Sequence, residues 1–172
     1  MAITIAAESV LGYRQVEDNH LSAKRDGRVY AQLPAADSIE KLEQGTFVKY
    51  DYENGEVNFT GDGPWMMVYN EEKLYDERHQ MHRDYAMLKS DNYDGVMTPR
   101  VLGMVAGDLF TTNNLADGEY TLGDEVAPNA TGILDKTAAA AAKSAGTLVC
   151  KVVKEYTLPD MQPAVKLQVI QA

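Results

Sequence analysis

The histidines are the residues best suited to bind a metal or transfer a proton. His79 and His82 are three positions apart, a spacing that would place two imidazoles on one helical face beside Asp76 or Asp84. The HExxH pattern is absent, however, charged side chains surround the pair, and His20 is distant in the sequence. A solvated, salt-bridged segment is therefore favoured over a metal site, and the sequence predicts no metal and no cofactor.

Nucleophilic and phosphate-binding chemistry also lack their usual patterns. Neither a GxSxG elbow nor a GxxxxGK[ST] or GxGxxG loop occurs. The one cysteine, Cys150, lies in an apolar run at residues 148–153, which favours a small buried hydrophobe over a nucleophile. Paired carboxylates such as Glu71-Glu72 are expected by composition alone in a chain with 26 acidic residues. These observations predict that the protein is not an enzyme.

Three aspartates directly follow a glycine: Asp62, Asp108 and Asp124. A calcium site needs several oxygen ligands at short, regular spacing, whereas each of these turns offers one carboxylate. Gly107-Asp108 and Gly123-Asp124 each separate two short β-prone runs. We therefore predict that both pairs are structural turns between strands.

Four aromatic residues could provide a stacking platform for a sugar: Trp65 with Tyr50, Tyr52 and Tyr69. Packing of these rings in the sheet core is favoured, because the hairpin register described below places Tyr50 and Tyr52 on its apolar face. A carbohydrate- or cell-surface-binding β module remains the alternative function.

Charge and composition exclude several partners. The formal net charge is -10 with a pI of about 4.7, and no dense cluster of Lys and Arg is present, which disfavours nucleic acid and anionic membranes. No segment approaches the roughly 20 apolar residues that span a bilayer, and no secretory leader is evident. We expect a protein made in the cytoplasm, with 45% hydrophobic residues to build a core.

Residues 1–45 lack a clear hydrophobic period and predict an extended N-terminal arm. A short strand is predicted at 28–33, and a capping-box pattern at 37–40 predicts a helix of about two turns that ends at Gly45. The arm has little core of its own, so it could order on a partner as an added strand. Its scattered apolar residues are the candidate partner-binding set: Ile3, Ile5, Val10, Leu11 and Tyr13.

Residues 46–99 predict a hairpin-rich region with a possible helix. Asn54-Gly55 is the preferred two-residue type I′ loop of a hairpin, and the resulting register pairs Tyr52 with Val57 and Tyr50 with Phe59. Residues 65–69 predict a strand buried on both faces. Residues 76–88 predict a helix, with short strand pieces that include Tyr75, Tyr85 and Met87 as the alternative.

Residues 100–172 predict a C-terminal barrel of short strands. Glycines and prolines separate the strand patterns, and 164–170 alternates cleanly between apolar and polar residues. The alanine-rich run at 137–143 is too short to hold a helix alone and predicts a loop or a single docked turn. The fold class is therefore mainly β: a small β-barrel or sandwich. The predicted strands are 100–104, 108–112, 119–122, 125–127, 148–156 and 164–170.

Four stretches together resemble a protein family: WMMVYNEEKLYD at 65–76, YDGVMTPRVLGMVAGDLFTT at 93–112, LGDEVAP at 122–128 and VKLQVI at 165–170. In this order they are similar to the auxiliary capsid proteins of tailed bacteriophages, known as decoration, cement or head fibre proteins. The resemblance covers about residues 45–172 and marks fold corners, with no catalytic residues.

The resemblance implies a β-barrel on the outer face of the assembled phage head. Its partner would be the major capsid protein, whose neighbouring subunits it would clamp against internal pressure. It would act as a symmetric homo-oligomer such as a trimer and would be located on the virion surface. The acidic composition implies that it faces away from packaged DNA.

Overall fold

The computed structural model describes residues 2–27, 33–70 and 86–172. This part of the chain is mainly β, as predicted. Its helices are α1 (Ser22–Arg25) and α2 (Lys136–Ala145), with short 3₁₀ turns at Ala7–Ser9 and Lys89–Asp91. The strands are β1 (Ala2–Ile5), β2 (Val16–His20), β3 (Lys41–Glu43), β4 (Phe47–Asp51), β5 (Glu56–Asn58), β6 (Trp65–Val68), β7 (Ala86–Leu88), β8 (Val101–Gly103), β9 (Leu109–Thr112), β10 (Gly118–Thr121), β11 (Glu125–Pro128), β12 (Leu134–Asp135), β13 (Val149–Thr157) and β14 (Pro163–Gln171).

Two larger sheets form the framework. One has the strand order β12-β11-β13-β14-β9-β2 and the other β5-β4-β6-β8, and the small pairs β1-β10 and β3-β7 lie beside them. Neighbouring strands in these sheets are antiparallel. The described strands do not close into a barrel, so the mainly-β class is confirmed and the predicted C-terminal barrel is not.

The main core lies between the two larger sheets. Phe47 and Met67 of the four-stranded sheet belong to the same buried cluster as Phe110 and Leu167 of the six-stranded sheet, and the Phe47 and Phe110 rings are 6.3 Å apart. The alternation of β14 produces this arrangement, because its apolar residues point inward while Lys166 is half-buried on the other face.

A second buried cluster covers the opposite face of the four-stranded sheet. Val48, Met66 and Val68 pack there against residues of the segments 36–42 and 97–101. Strand β6 is thus apolar because both of its faces are covered, which confirms the prediction for residues 65–69.

The N-terminal segment is built into the fold. Strand β1 pairs with β10 over four residues, and β2 pairs with β9 at the edge of the six-stranded sheet. The expectation of an arm that lacks a core position is therefore wrong. The strands also cross the predicted boundaries at 45 and 99, since β3 pairs with β7 and β8 completes a sheet with β4 and β6.

The predicted hairpin is present, but its loop and register differ. Tyr50 pairs with Val57, which makes a four-residue loop of residues 52–55 and leaves Tyr52 67% exposed. Asn54 does not adopt the positive φ that a type I′ turn requires. Instead, the Asp51 carboxylate accepts hydrogen bonds from the Glu53 and Asn54 N–H groups at 3.1 and 3.0 Å and stabilises the longer loop.

The two helices predicted in the first half are not supported. The 37–45 segment contains β3, which pairs with β7, and the Asp37 carboxylate accepts a 2.7 Å hydrogen bond from Lys89 Nζ instead of capping a helix. Ala86–Leu88, at the end of the helix predicted for 76–88, forms strand β7, and residues 76–85 lie outside the described residues. Residues 28–32 of the strand predicted at 28–33 also lie outside them.

The alanine-rich run is a ten-residue helix, α2, where a loop or single turn was predicted. The Asp135 side chain accepts a 2.8 Å hydrogen bond from the Thr137 N–H at its start, and Gly146 adopts φ 71° at its end. Ala139 is buried, and Lys143 Nζ lies 2.9 Å from Glu125 of β11. Caps and docking supply the stability that the isolated run lacks. The six strands predicted from residue 100 onward are all present.

Candidate functional site

The two Gly-Asp pairs form turns with the same geometry. The Asp108 N–H donates to the Val105 carbonyl and the Asp124 N–H to the Thr121 carbonyl, both at 3.1 Å. Each carboxylate in turn accepts the N–H three residues earlier, at 3.1 Å for Asp108 and 2.9 Å for Asp124. The glycine between them has φ 100° in the first turn and 91° in the second, as the third position of a type II turn requires.

Each turn is also a β-bulge in which two residues oppose one. The Gly107 N–H donates to the Val169 carbonyl at 2.8 Å, and the Val169 N–H returns a 2.9 Å bond to the Asp108 carbonyl. Gly123 and Asp124 form the same reciprocal pair with Val152, both at 2.9 Å. The turns therefore fix the chain against β14 and β13 respectively, which is the role of a G1 bulge.

The surroundings of the two aspartates differ. Asp108 is 1% exposed, and its second oxygen accepts a 2.8 Å hydrogen bond from the Ser22 N–H, so this turn holds the N-terminal segment. Asp124 is partly exposed and lies 3.3 Å from Lys136 Nζ of α2. The hydrogen bond from the Thr121 N–H lowers the pKa of the Asp124 carboxyl, and the nearby Lys136 ammonium lowers it further.

The predicted partner-binding residues separate into buried and accessible ones. Ile5 is buried in the main core, and Ile3 is half-buried against it, so these two serve the fold. Val10 and Tyr13 are half-buried, with Lys41 Nζ 5.8 Å from the centre of the Tyr13 ring. Leu11 is 66% exposed. Of the five, Leu11 offers the largest exposed fraction for contact with a partner.

Buried amides hold Leu11 in place. The Gln162 side chain accepts a 2.8 Å hydrogen bond from the Leu11 N–H and donates a 3.2 Å bond to the Leu11 carbonyl, as a neighbouring strand would. Asn113 binds the same Gln162 side chain at 3.3 Å and accepts the Gln15 N–H at 2.7 Å. The TTNN sequence at residues 111–114, which begins in β9 and ends just after it, is the signal in the sequence that could have indicated this cluster.

Met161 lies next to Gln162 and is 80% exposed. Among the described residues other than glycine, it is the one with a positive φ, 70°. A long apolar side chain is thus held outward at a strained position in the β13–β14 turn. Leu11 binds the Gln162 side chain through its backbone, and Met161 directly precedes Gln162 in the chain. We refer to these two exposed residues as the Leu11/Met161 surface.

A cleft of about 380 Å³ lies where the four-stranded sheet meets the segment that leads from α2 into β13. Its walls include Lys49 and Trp65, which face each other across β4 and β6, with Asp62, Met104, Thr147 and Leu148. Lys49 Nζ lies 5.1 Å from the centre of the Trp65 ring. No local sequence pattern indicates that residues 49 and 147 are neighbours, so this cleft, which we call the Trp65 cleft, was not predicted.

The aromatic residues do not form the single platform that the sequence allowed. Tyr50 and Tyr52 stack on each other with ring centres 5.1 Å apart, and Tyr50 packs on the second cluster, on the face of β4 opposite Lys49. Tyr69 and Trp65 pack against the main core. Burial raises the pKa of the Tyr69 hydroxyl, which lies 3.3 Å from Lys24 Nζ.

The residues considered for catalysis are not assembled by the described part of the chain. His79 and His82 lie outside the described residues, and His20 is exposed on β2. No group of His, Cys, Asp and Glu that could hold a metal occurs in residues 2–27, 33–70 and 86–172. Cys150 is fully buried, and burial raises the pKa of its thiol, which disfavours the nucleophilic thiolate. None of the described helices is long and apolar enough to span a bilayer.

Comparison with known proteins gives no relative: no family model matches the chain, and neither the curated proteins nor the solved structures contain a match.

Proposed function

We propose that this protein is a structural, non-catalytic accessory protein of a tailed-phage head. It binds the outer surface of the assembled capsid and stabilises contacts between major capsid subunits. The observation that carries the proposal is the ordered series of motifs at 65–76, 93–112, 122–128 and 165–170, which resembles the decoration, cement or head fibre proteins. The same stretches contain β6, the two Gly-Asp turns and β14, which form the framework of the fold.

We propose the Leu11/Met161 surface as the contact with the major capsid protein. Both side chains are large, apolar and exposed, and the buried Gln162 side chain holds the Leu11 backbone in place, so burial of Leu11 on binding would cost little ordering of the chain. Burial of a leucine or methionine side chain is worth about 1.5–3 kcal/mol. The pair would act as an apolar anchor within a polar rim.

Charge supports the orientation of the protein on the capsid. A net charge of -10 opposes approach to packaged DNA and favours an outward position. A homo-oligomer, a trimer in the simplest case, would repeat the contact around a local symmetry axis and add avidity to a small interface. Sedimentation velocity of the purified protein tests this part of the proposal.

Co-sedimentation tests the function. The protein is mixed with capsids assembled from the major capsid protein of the same phage and pelleted through a sucrose cushion. We expect the wild type to pellet with capsids to saturation, and Leu11→Ser and Met161→Ser to bind about tenfold more weakly or worse.

Leu122→Ser is the matched control, because Leu122 is similarly exposed (62%) but lies in the second Gly-Asp turn, outside the proposed contact. It should bind as the wild type does. Wild-type protein that stays in the supernatant at all capsid concentrations would refute the function. Full binding by both Leu11→Ser and Met161→Ser would refute the proposed contact alone.

A further inference from the structure

We propose that the Trp65 cleft is a binding site for a saccharide residue, separate from the Leu11/Met161 surface. At about 380 Å³ the cleft falls in the size range of small-molecule sites, which are mostly apolar with a few placed polar groups. It lies between the four-stranded sheet and the segment that leads from α2 into β13.

The apolar part of the cleft suits the C–H face of a sugar ring. Trp65 is half-buried, with Met104 and Leu148 among the other walls. An indole combines a large apolar face with an N–H donor, and such a face packs against the C–H groups of a ligand that also needs hydrogen bonds at its edge. Lys49 Nζ lies 5.1 Å from the centre of the Trp65 ring, so the ammonium would move from the ring face to the ligand's edge when a sugar packs there.

The polar groups of the cleft are available. Within the described ranges, Lys49 has the Trp65 ring as its contact and forms no ion pair, and Asp62 is exposed and forms neither a hydrogen bond nor an ion pair. The ammonium can only donate and the carboxylate can only accept hydrogen bonds. Neighbouring hydroxyls of a sugar both donate and accept, so they match this pair better than a purely apolar or purely anionic ligand does.

The backbone fixes where Asp62 stands. Its neighbours Gly61 and Gly63 press against β4: a Cβ on Gly61 would lie 2.0 Å from the Tyr50 carbonyl oxygen, and one on Gly63 would lie 2.4 Å from the Tyr50 Cβ. The Gly63 N–H also donates a 2.9 Å hydrogen bond to that carbonyl. Only glycine fits on either side, so the loop fixes the backbone position from which Asp62 lines the cleft.

Intrinsic fluorescence tests the proposal directly, because Trp65 is the single tryptophan of the chain. Emission is followed while glucose, galactose, N-acetylglucosamine, rhamnose and glucuronate are added, and labelled protein is applied to an array of microbial glycans. We expect a saturable change in Trp65 emission with at least one sugar and binding to array glycans that end in that sugar.

Variants locate the site. Asp62→Asn and Lys49→Met should each weaken the response about tenfold or more, since each removes a charged hydrogen-bond partner. Asp117→Asn and Lys154→Met are matched exposed controls outside the cleft and should leave the response unchanged. Circular dichroism confirms that each variant is folded.

Absence of any emission change together with a silent array would overturn the proposal. So would array binding that survives in both Asp62→Asn and Lys49→Met, because the site would then lie elsewhere. Capsid co-sedimentation of Asp62→Asn should equal that of the wild type, so failure of the saccharide site and failure of the capsid function are distinguishable.

Discussion

The turns at Gly107-Asp108 and Gly123-Asp124 share their backbone geometry and differ in what their carboxylates reach. Both make the same hydrogen bonds within the turn and the same reciprocal pair with a valine of the neighbouring strand. Asp108 is buried and also binds the Ser22 N–H, across a long separation in sequence. Asp124 remains partly exposed and interacts with Lys136 at the start of α2.

This difference separates local from long-range roles in the repeated sequence motif. The shared features are those of a turn and bulge that join strands, so the repeated motif has a structural role. The long-range contact of Asp108 attaches the N-terminal segment, whose Leu11 forms part of the surface proposed to bind the capsid. Of the two turns, the first therefore also holds the segment that follows β2, and the second contacts α2 instead.

The largest effect is expected for Asp108→Ala. It leaves the N–H groups of Val105 and Ser22 without their acceptor, and we expect the free energy of unfolding to fall by about 2–4 kcal/mol. Urea denaturation followed by circular dichroism measures it. Asp117→Ala, at an exposed position, should change stability by no more than about 0.5 kcal/mol. A loss for Asp108→Ala as small as for that control would show that Ser22 and Val105 find other partners.

Substitution of the turn glycines should destabilise the two turns equally. A Cβ on Gly107 or Gly123 would meet no atom within 4 Å, so Ala at either position is penalised by its positive φ alone. We expect Gly107→Ala and Gly123→Ala to lose similar amounts, about 1–2 kcal/mol each, in the same denaturation experiment. Losses that differ severalfold would contradict the common geometry.

Asp124→Asn should lower the free energy of unfolding by less, at most about 1 kcal/mol, and the size of this loss should depend on pH. The pKa of Asp124 is lowered in the folded protein, so its stabilisation is complete above the unfolded pKa of about 3.9 and is lost as pH falls through the folded value. The gap between wild type and variant should therefore close on acidification. Urea midpoints measured from neutral pH downward check this; a gap that is constant with pH would exclude the charge as its cause.

Met161→Gly is expected to have the smallest effect, and in the opposite direction. The turn at Met161 needs a positive φ like the two Gly-Asp turns, but it has a side chain. Glycine should raise the free energy of unfolding by about 0.5 kcal/mol, since relief of the strain is partly offset by the greater freedom of the unfolded chain. Thermal unfolding measures the gain. Met161→Ala is the control: alanine keeps the backbone strain, so this variant should show no gain. A clear loss on substitution by glycine would mean that Met161 makes stabilising contacts.

The sequence predicted the fold best where local patterns decide it. The strands from residue 100 onward follow from alternation and glycine spacing, and Val165, Leu167 and Val169 are buried as expected. The hairpin at 47–60 was found, but its register was not, because an Asp51 side chain stabilises a loop that the Asn-Gly rule does not anticipate. Helix α2 was missed because its stability comes from caps and from docking on β11.

The proposed binding surfaces were predicted only in part, for a physical reason. Leu11 was in the predicted set, but its rigid position depends on Gln162 and its companion Met161 lies 150 residues away in the chain. The pairing of β1 with β10 and of β2 with β9 is equally long-range, so an apolar segment without a clear period was expected to be unattached. Trp65 was singled out, whereas Lys49 and Thr147 become its neighbours only in the fold.

The proposed function is tested most directly by electron microscopy of capsids of the same phage with and without the protein. The account predicts additional density on the outer face, repeated at equivalent local symmetry positions, that disappears when the protein is omitted and is reduced with Leu11→Ser. Images that are identical with and without the protein, at concentrations well above saturation, would contradict it.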